Sequence, residues 1–264
     1  MVSLSDIGRI FYGLAMTGMG LLTIYYRDFP YMFIPPKHSW IPTFVIVFAG
    51  FALFLAGLAI VFKVSAKTIS LLLGGSLLLI FFFYHIPFEF IATSSFNQFG
   101  AWENAFKELA LSGGALVIAG GFSETGTNSY TRYLARLIPF GVIFFSISIF
   151  SFGIDHFLYA KEAVDYVPSW IPWHLFWIYF CGIALMASAI AIMLKFKVRL
   201  AAGLLGLMII IWFIILHIPR VMVAPAADLE GEIPSALLAL AYGGIAFAIT
   251  GAANKEPAIE TNLS

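Results

Sequence analysis

Long runs without a charged residue recur along the chain, as from Thr68 to Pro87 and from Leu200 to Pro219, separated by short polar breaks. Apolar runs of about 20 residues match the length a helix needs to cross hydrocarbon. Windows of that size predict eight helices, at 8–26, 42–63, 68–87, 105–122, 135–158, 173–195, 199–219 and 234–253. The links Val64 to Lys67 and Phe196 to Val198 are short, so the helices they join are expected to be antiparallel neighbours. The links on the opposite side are longer and hold most of the prolines. The first run follows Ser5, Asp6 and Arg9 with no small-residue cleavage site after it, which predicts a retained helix rather than a removed leader. The expected fold class is all-α, a polytopic membrane bundle of about eight transmembrane helices.

The pattern also repeats. The tripeptide His-Ile-Pro occurs at His85 to Pro87 and again at His217 to Pro219, each time closing an aromatic-rich apolar run. Phe48, Gly50, Ala52, Leu53 and Lys63 fall opposite Phe180, Gly182, Ala184, Leu185 and Lys195 at the constant offset that carries His85 onto His217. Trp40-Ile41-Pro42 matches Trp170-Ile171-Pro172, and Gly113-Gly114 matches Gly243-Gly244, once loop lengths are allowed to differ. These landmarks predict a parallel 4+4 duplication: a first four-helix repeat at 1–122, a cytoplasmic linker at 123–134, and a second repeat with a short tail at 135–264. Four spans per copy is an even number, so both copies enter from the same side, related by a pseudo-two-fold axis along the membrane normal. Setting Arg9 on Arg136 places Asp28 opposite Asp155. Within each copy, proline is expected to end the third helix and free a carbonyl about four residues upstream.

Composition agrees with the pattern: 61% of residues are hydrophobic and 11% charged, and the mean hydropathy is +0.97. The formal net charge of zero hides an asymmetry. Arg9, Lys63, Lys67, Arg132, Arg136, Lys195, Lys197, Arg199 and Lys255 lie on the side of the termini, whereas most acids, among them Glu89, Glu103, Glu108, Asp155, Glu230 and Glu232, lie on the other. The positive-inside rule then makes both termini cytoplasmic and the proline-rich loops external, with a bacterial plasma or inner membrane as the expected location.

In that orientation all five histidines, His38, His85, His156, His174 and His217, fall at the outer ends of helices or in outer loops. Imidazole is the commonest metal ligand and titrates nearest neutral pH, so several at one depth could hold a metal or move protons. The candidate outward-facing site comprises Asp155, His156, His174, His217, His85 and Trp177, with His156, His174 and His217 as the ligands of any metal. Asp155 and His156 are adjacent and point about 100° apart on a helix, so the acid need not touch the ring. Trp170, Trp173 and Trp177 follow helical spacing and offer a stripe on which a quinone could stack, although tryptophans at this depth more often anchor a protein in the lipid interface. The same applies to His38 and His174, and to Lys107 and Glu108 at the head of the fourth span. The second copy carries more of these polar groups, so it is the expected working half and the first the scaffold.

Other chemistries fall away. Cys181 is the only cysteine, which leaves no intramolecular disulfide and no thiolate cluster. No phosphate-binding loop, His-Glu-x-x-His helix or dinucleotide fingerprint occurs, and the loops are too acidic or too sparsely basic for nucleic acid.

An arginine at the head of the first span, the loop Val167-Pro168-Ser169-Trp170-Ile171-Pro172, the residues Trp177, Tyr179 and Gly182 after it, and the basic turn Lys195 to Arg199 together resemble the DoxX-like family of four-helix membrane proteins. The resemblance covers both copies, the second better than the first. It implies a helical bundle and a quinone-facing role. Some relatives carry a cysteine pair for thiol redox work; with Cys181 alone, the resemblance does not extend to that chemistry. Three functional readings follow: a respiratory-chain or quinone-linked accessory component, with quinone or a metal as cofactor; a transporter or lipid-handling protein using the groove between the copies; and a structural or assembly factor. Membrane lipid and a small-molecule or quinone ligand are the expected partners. Whether the protein is an enzyme, and its oligomeric state, stay open at this point.

Overall fold

The computed structural model describes residues 3–35, 40–92, 98–122 and 129–253. Among them there is no β-strand. The helices are α1 (Leu4–Tyr26), α2 (Thr43–Val61), α3 (Ala66–Ile80), α4 (Glu103–Gly120), α5 (Ser129–Ala135), α6 (Ile138–Leu158), α7 (Ala160–Ala163), α8 (His174–Met193), α9 (Val198–Trp212), α10 (Ile218–Val223) and α11 (Leu229–Ala252). Among the described residues, seven helical stretches are long and apolar enough to cross a membrane, those of α1, α2, α6, α8 and α11 together with Ala66–Ile91 and Val198–Val223. A membrane interior offers no water to satisfy backbone N–H and C=O groups, so continuous helix is the form such sequence must take.

The long helices form a ring in chain order. α1 packs on α2, α2 on α3, α3 on α4, α4 on α6, α6 on α8, α8 on α9 and α9 on α11, and α11 closes the ring on α1. α4 and α11 also touch each other across the middle. That placement explains why α4 tolerates Glu103, Lys107 and Glu108: its residues from Glu108 through Ala119 are all buried by protein. The short links between α2 and α3 and between α8 and α9 reverse the chain through left-handed residues, Lys63 (φ 60°) and Ser65 (φ 45°) in one and Lys195 (φ 55°) and Lys197 (φ 44°) in the other. The helices they join are neighbours, as the link lengths predicted.

One expectation needs correction. Proline does not end the third or the seventh predicted helix. In each, a π-helical turn, Phe81–His85 or Phe213–His217, precedes the proline, and helix resumes through Pro87 and Pro219. A π turn inserts one residue into the ladder, so proline falls in the first turn of a new register, where its missing N–H is not needed. Within the predicted linker 123–134, α5 spans Ser129–Ala135, and its Leu134 lies against Gly75 of α3.

Glycines set the closest approaches. A Cβ on Gly8 would meet the Gly244 carbonyl oxygen at 2.3 Å, and one on Gly141 would meet that of Gly113 at 2.8 Å. Gly20 meets Gly50, and Gly153 meets Gly182, in the same manner. Small residues that let backbones touch are the usual means of association where lipid competes for apolar side chains. Gly8→Ala is therefore expected to cost about 1–3 kcal/mol, the usual penalty for overpacking. Gly231→Ala, where a Cβ meets nothing within 4 Å, should be neutral or slightly stabilising. Thermal unfolding of the two variants in detergent checks the contrast.

Candidate functional site

At the end of the bundle opposite the chain termini, α6, α8, α9 and α11 surround a cavity of about 410 Å³. The first turns of α4 contribute Glu103 and Lys107 to its wall. Four of the six residues expected from the sequence line it: Asp155, His156, Trp177 and His217. His85 and His174 do not.

The last two turns of α6 bring one helical stripe to the cavity, with Ile149, Phe152, Asp155 and His156 at spacings of three and four. The His156 Nδ1–H donates to the Phe152 carbonyl at 2.7 Å. A carbonyl only accepts, so this bond fixes the tautomer and leaves Nε2 as a hydrogen-bond acceptor. Asp155 makes no hydrogen bond to His156, in keeping with their divergence along the helix, and its Oδ1 is buried without a partner. His217 ends the second π turn, where the added residue rotates it toward the cavity. Just beyond it, Arg220 clasps Glu232 with both ends of its guanidinium, Nε to Oε2 at 2.9 Å, and lies 4.3 Å from the centre of the Tyr166 ring. This clasp holds α10 against the start of α11.

Aromatic side chains make the remaining walls. Trp177 of α8 and Trp212 of α9 meet edge to face with centroids 6.3 Å apart, and Tyr242 of α11 stacks on Phe152 at 5.7 Å. The Tyr242 hydroxyl is buried and has no hydrogen-bond partner. At the rim, Lys107 pairs with Glu103 at 2.8 Å and sits 5.2 Å from the centre of the Tyr31 ring. Behind the tryptophans, a lipid-facing groove of about 740 Å³ runs between α8 and α9. Trp177, Met208 and Trp212 belong to both spaces.

His85 sits at the matching point of the first π turn but is fully buried, its Nε2–H donating to the Met32 carbonyl at 3.1 Å. Met32 and Phe33, in the segment after α1, are themselves buried there and fill the space around it. His174 stands at the first turn of α8, away from the cavity, following Trp173 in a left-handed conformation. His38 lies outside the described residues. The expected metal set therefore does not form: His174 is apart from His156 and His217, and among the described residues no three His, Cys, Asp or Glu side chains are placed to hold a metal ion. Sequence reasoning missed Trp212 and Tyr242, which lie inside apolar runs and carry no local signal. It also assigned Lys107 only to the interface, whereas this side chain lines the cavity.

No family model matches the chain, and no curated protein or solved structure matches it.

A buried carboxylate oxygen without a partner costs stability, about 1–3 kcal/mol for an unsatisfied polar group. If Asp155 is kept for a ligand and not for the fold, Asp155→Ala is expected to leave the thermal midpoint unchanged or raise it. A drop in the midpoint would assign Asp155 to the fold instead.

Proposed function

We propose that the chain is a membrane-embedded binding protein for a planar, oxygen-bearing lipid of the quinone class, the role of a respiratory-chain accessory component. The observation that carries this reading is the composition of the cavity wall. Two tryptophans and two tyrosines surround a few unpaired polar groups in a volume within the range of about 300–1,000 Å³ typical of small-molecule sites. A quinone ring presents two carbonyl oxygens that accept hydrogen bonds, and its reduced form presents two hydroxyls that donate. The Tyr242 hydroxyl serves either form; His156 Nε2 and Asp155 Oδ1 suit the reduced one. The neighbouring groove between α8 and α9 offers a path for the apolar tail.

The architecture behind this reading is two fused four-helix units, α1 to α4 and α6, α8, α9 and α11, with α4 as the eighth membrane span. The pairs of contacts support it: α1 meets α2 and α11 as α6 meets α8 and α4, and α3 meets α4 as α9 meets α11. The two π turns and the two pairs of left-handed turn residues recur at the offset that carries His85 onto His217. The glycine contacts favour a register with Gly8 opposite Gly141 and Gly20 opposite Gly153. In that register Asp155 falls opposite Leu22 and His156 opposite Thr23, so Asp28 is not its counterpart. Thr23 donates to the Met19 carbonyl at 2.9 Å as His156 donates to Phe152. The DoxX-like resemblance and the assignment of the termini to the cytoplasm of a bacterium rest on sequence motifs and charge distribution.

The transporter reading needs a groove between the two units. There the glycine pairs Gly8 with Gly244 and Gly113 with Gly141 bring backbones into contact, and the cavity is walled mainly by the second unit, with only Glu103 and Lys107 of α4 from the first.

Protein purified from its native membrane is expected to yield extractable quinone. His217→Ala and Trp177→Ala should each lower quinone occupancy several-fold, while His85→Ala should lower thermal stability and leave occupancy unchanged. Liquid chromatography of the lipid extract, with quinone titration monitored by tryptophan fluorescence, measures both. Absence of extractable quinone together with absence of binding on titration overturns the reading.

A further inference from the structure

One acid in the bundle is unexplained by the cavity. Glu108 of α4 is wholly buried, and neither of its carboxylate oxygens has a hydrogen-bond partner. It directly follows Lys107, which pairs with Glu103 at the rim. No lysine, arginine or histidine among the described residues pairs with it. An ionised carboxylate so placed is among the costliest arrangements a membrane protein can hold, which is why such residues mark proton and ion pathways.

α6 also packs on α4, and α1, α3 and α11 bear on the surroundings of Glu108. From α1, Tyr12 is also wholly buried, but its hydroxyl already donates to the Leu111 carbonyl at 2.8 Å. From α3 no titratable side chain reaches it; the nearest link is the Ser112 hydroxyl, one turn on, donating to the Gly74 carbonyl at 2.8 Å. From α11 comes Tyr242, whose hydroxyl is free. The register of α4 and α11 is set where a Cβ on Gly114 would meet Ile245 at 2.3 Å. The two helices run in the same direction, so one turn back from that contact Tyr242 stands level with Leu111. Helical side chains tilt toward the N-terminus, which carries the phenol toward the level of Glu108. The Tyr242 hydroxyl and the Glu108 carboxylate do not hydrogen-bond each other, so a proton crosses between them only with a bridging water or a movement of the phenol. Tyr242 is at the same time part of the cavity wall.

We infer that Glu108 is an internal proton-binding site and that the Tyr242 hydroxyl is its connection to the cavity. The balance is simple: a proton arriving at the cavity is taken by the phenol oxygen as the phenol passes its own proton, through a bridging water or on a swing of the ring, to a Glu108 carboxylate oxygen, and return follows the reverse course. No electron moves and the phenol ends as it began. The inference holds whatever ligand the cavity takes, so its failure and that of the quinone reading are separable.

Infrared spectroscopy of the full-length protein in lipid nanodiscs, transferred from H2O to D2O, tests it without any ligand. The wild type is expected to show the carbonyl stretch of a protonated carboxylic acid, shifting as deuterium exchanges in. Glu108→Gln should abolish that component, and Asp155→Asn should leave it in place. Tyr242→Phe, which removes the hydroxyl and keeps the ring, should leave the component present but slow its exchange several-fold. If Glu108→Gln does not yield folded protein, Glu108→Asp carries the assignment, and the component should change frequency. A component that is absent, or that survives Glu108→Gln or is unmoved in Glu108→Asp, overturns the proton site. Exchange at the wild-type rate in Tyr242→Phe overturns the connection to the cavity.

Discussion

A polar group placed in hydrocarbon must find its partner within the protein, and most of this structure follows from that constraint. It accounts for unbroken helix across the seven apolar stretches, because no other open-chain form satisfies every backbone group without water. It also accounts for the place of α4. A helix with Glu103, Lys107 and Glu108 in its first two turns cannot face lipid along its length, so within the ring it is drawn inward and covered by α3, α6 and α11. The glycines of α1, α4, α6 and α11 then make the covering possible by letting the helices approach to backbone contact.

Proline would break this rule if it stopped a helix at membrane depth and left carbonyls bare. The π turns at Phe81–His85 and Phe213–His217 avoid that outcome by shifting the hydrogen-bond register one residue before Pro87 and Pro219. The same shift turns the histidine that ends each π turn toward the bundle. One local device has two results: His85 meets the Met32 carbonyl and is sealed in, while His217 faces an open cavity. The difference comes from the segments after α1 and α6. The first folds Met32 and Phe33 inward, and the second carries Ala160–Ala163 as a short helix beside the cavity and leaves the space unfilled.

The helices and their antiparallel order were legible in the sequence because a run of apolar residues long enough to span a membrane has one favourable conformation. The π turns were not, since proline reads locally as a stop and only the hydrogen-bond ladder shows how it is accommodated. Asp155, His156, Trp177 and His217 could be placed together because helix ends on one side of a bundle share a depth. His174 shares that depth too, yet it is apart from them; depth says nothing of rotation about a helix axis, and a left-handed residue at Trp173 sets how α8 begins. Trp212 and Tyr242 were invisible for the opposite reason. In an apolar run an aromatic residue facing lipid and one facing a cavity have identical neighbours in sequence.

The unpaired groups give the strongest reason to regard this region as functional. Folding selects against buried polar atoms without partners, and each one kept lowers stability. A serine inside a helix can escape that penalty by donating to the carbonyl one turn back, as Ser148 does to Phe144, although Ser70 and Ser146 do not. Asp155, Glu108 and Tyr242 have no such recourse, for a carboxylate oxygen cannot donate and a tyrosine hydroxyl is too far from its own backbone. All three belong to the part of the bundle where α4, α6 and α11 converge, at and just beneath the cavity wall. A purely structural bundle would gain by replacing each with a hydrocarbon side chain. Asp155 and Tyr242 line an unfilled cavity with Glu108 just beneath it, whereas the matching space around His85, whose Nδ1 is also unpaired, is filled by Met32 and Phe33; that is the asymmetry expected of a scaffold that closes one of two similar spaces and keeps the other for a ligand.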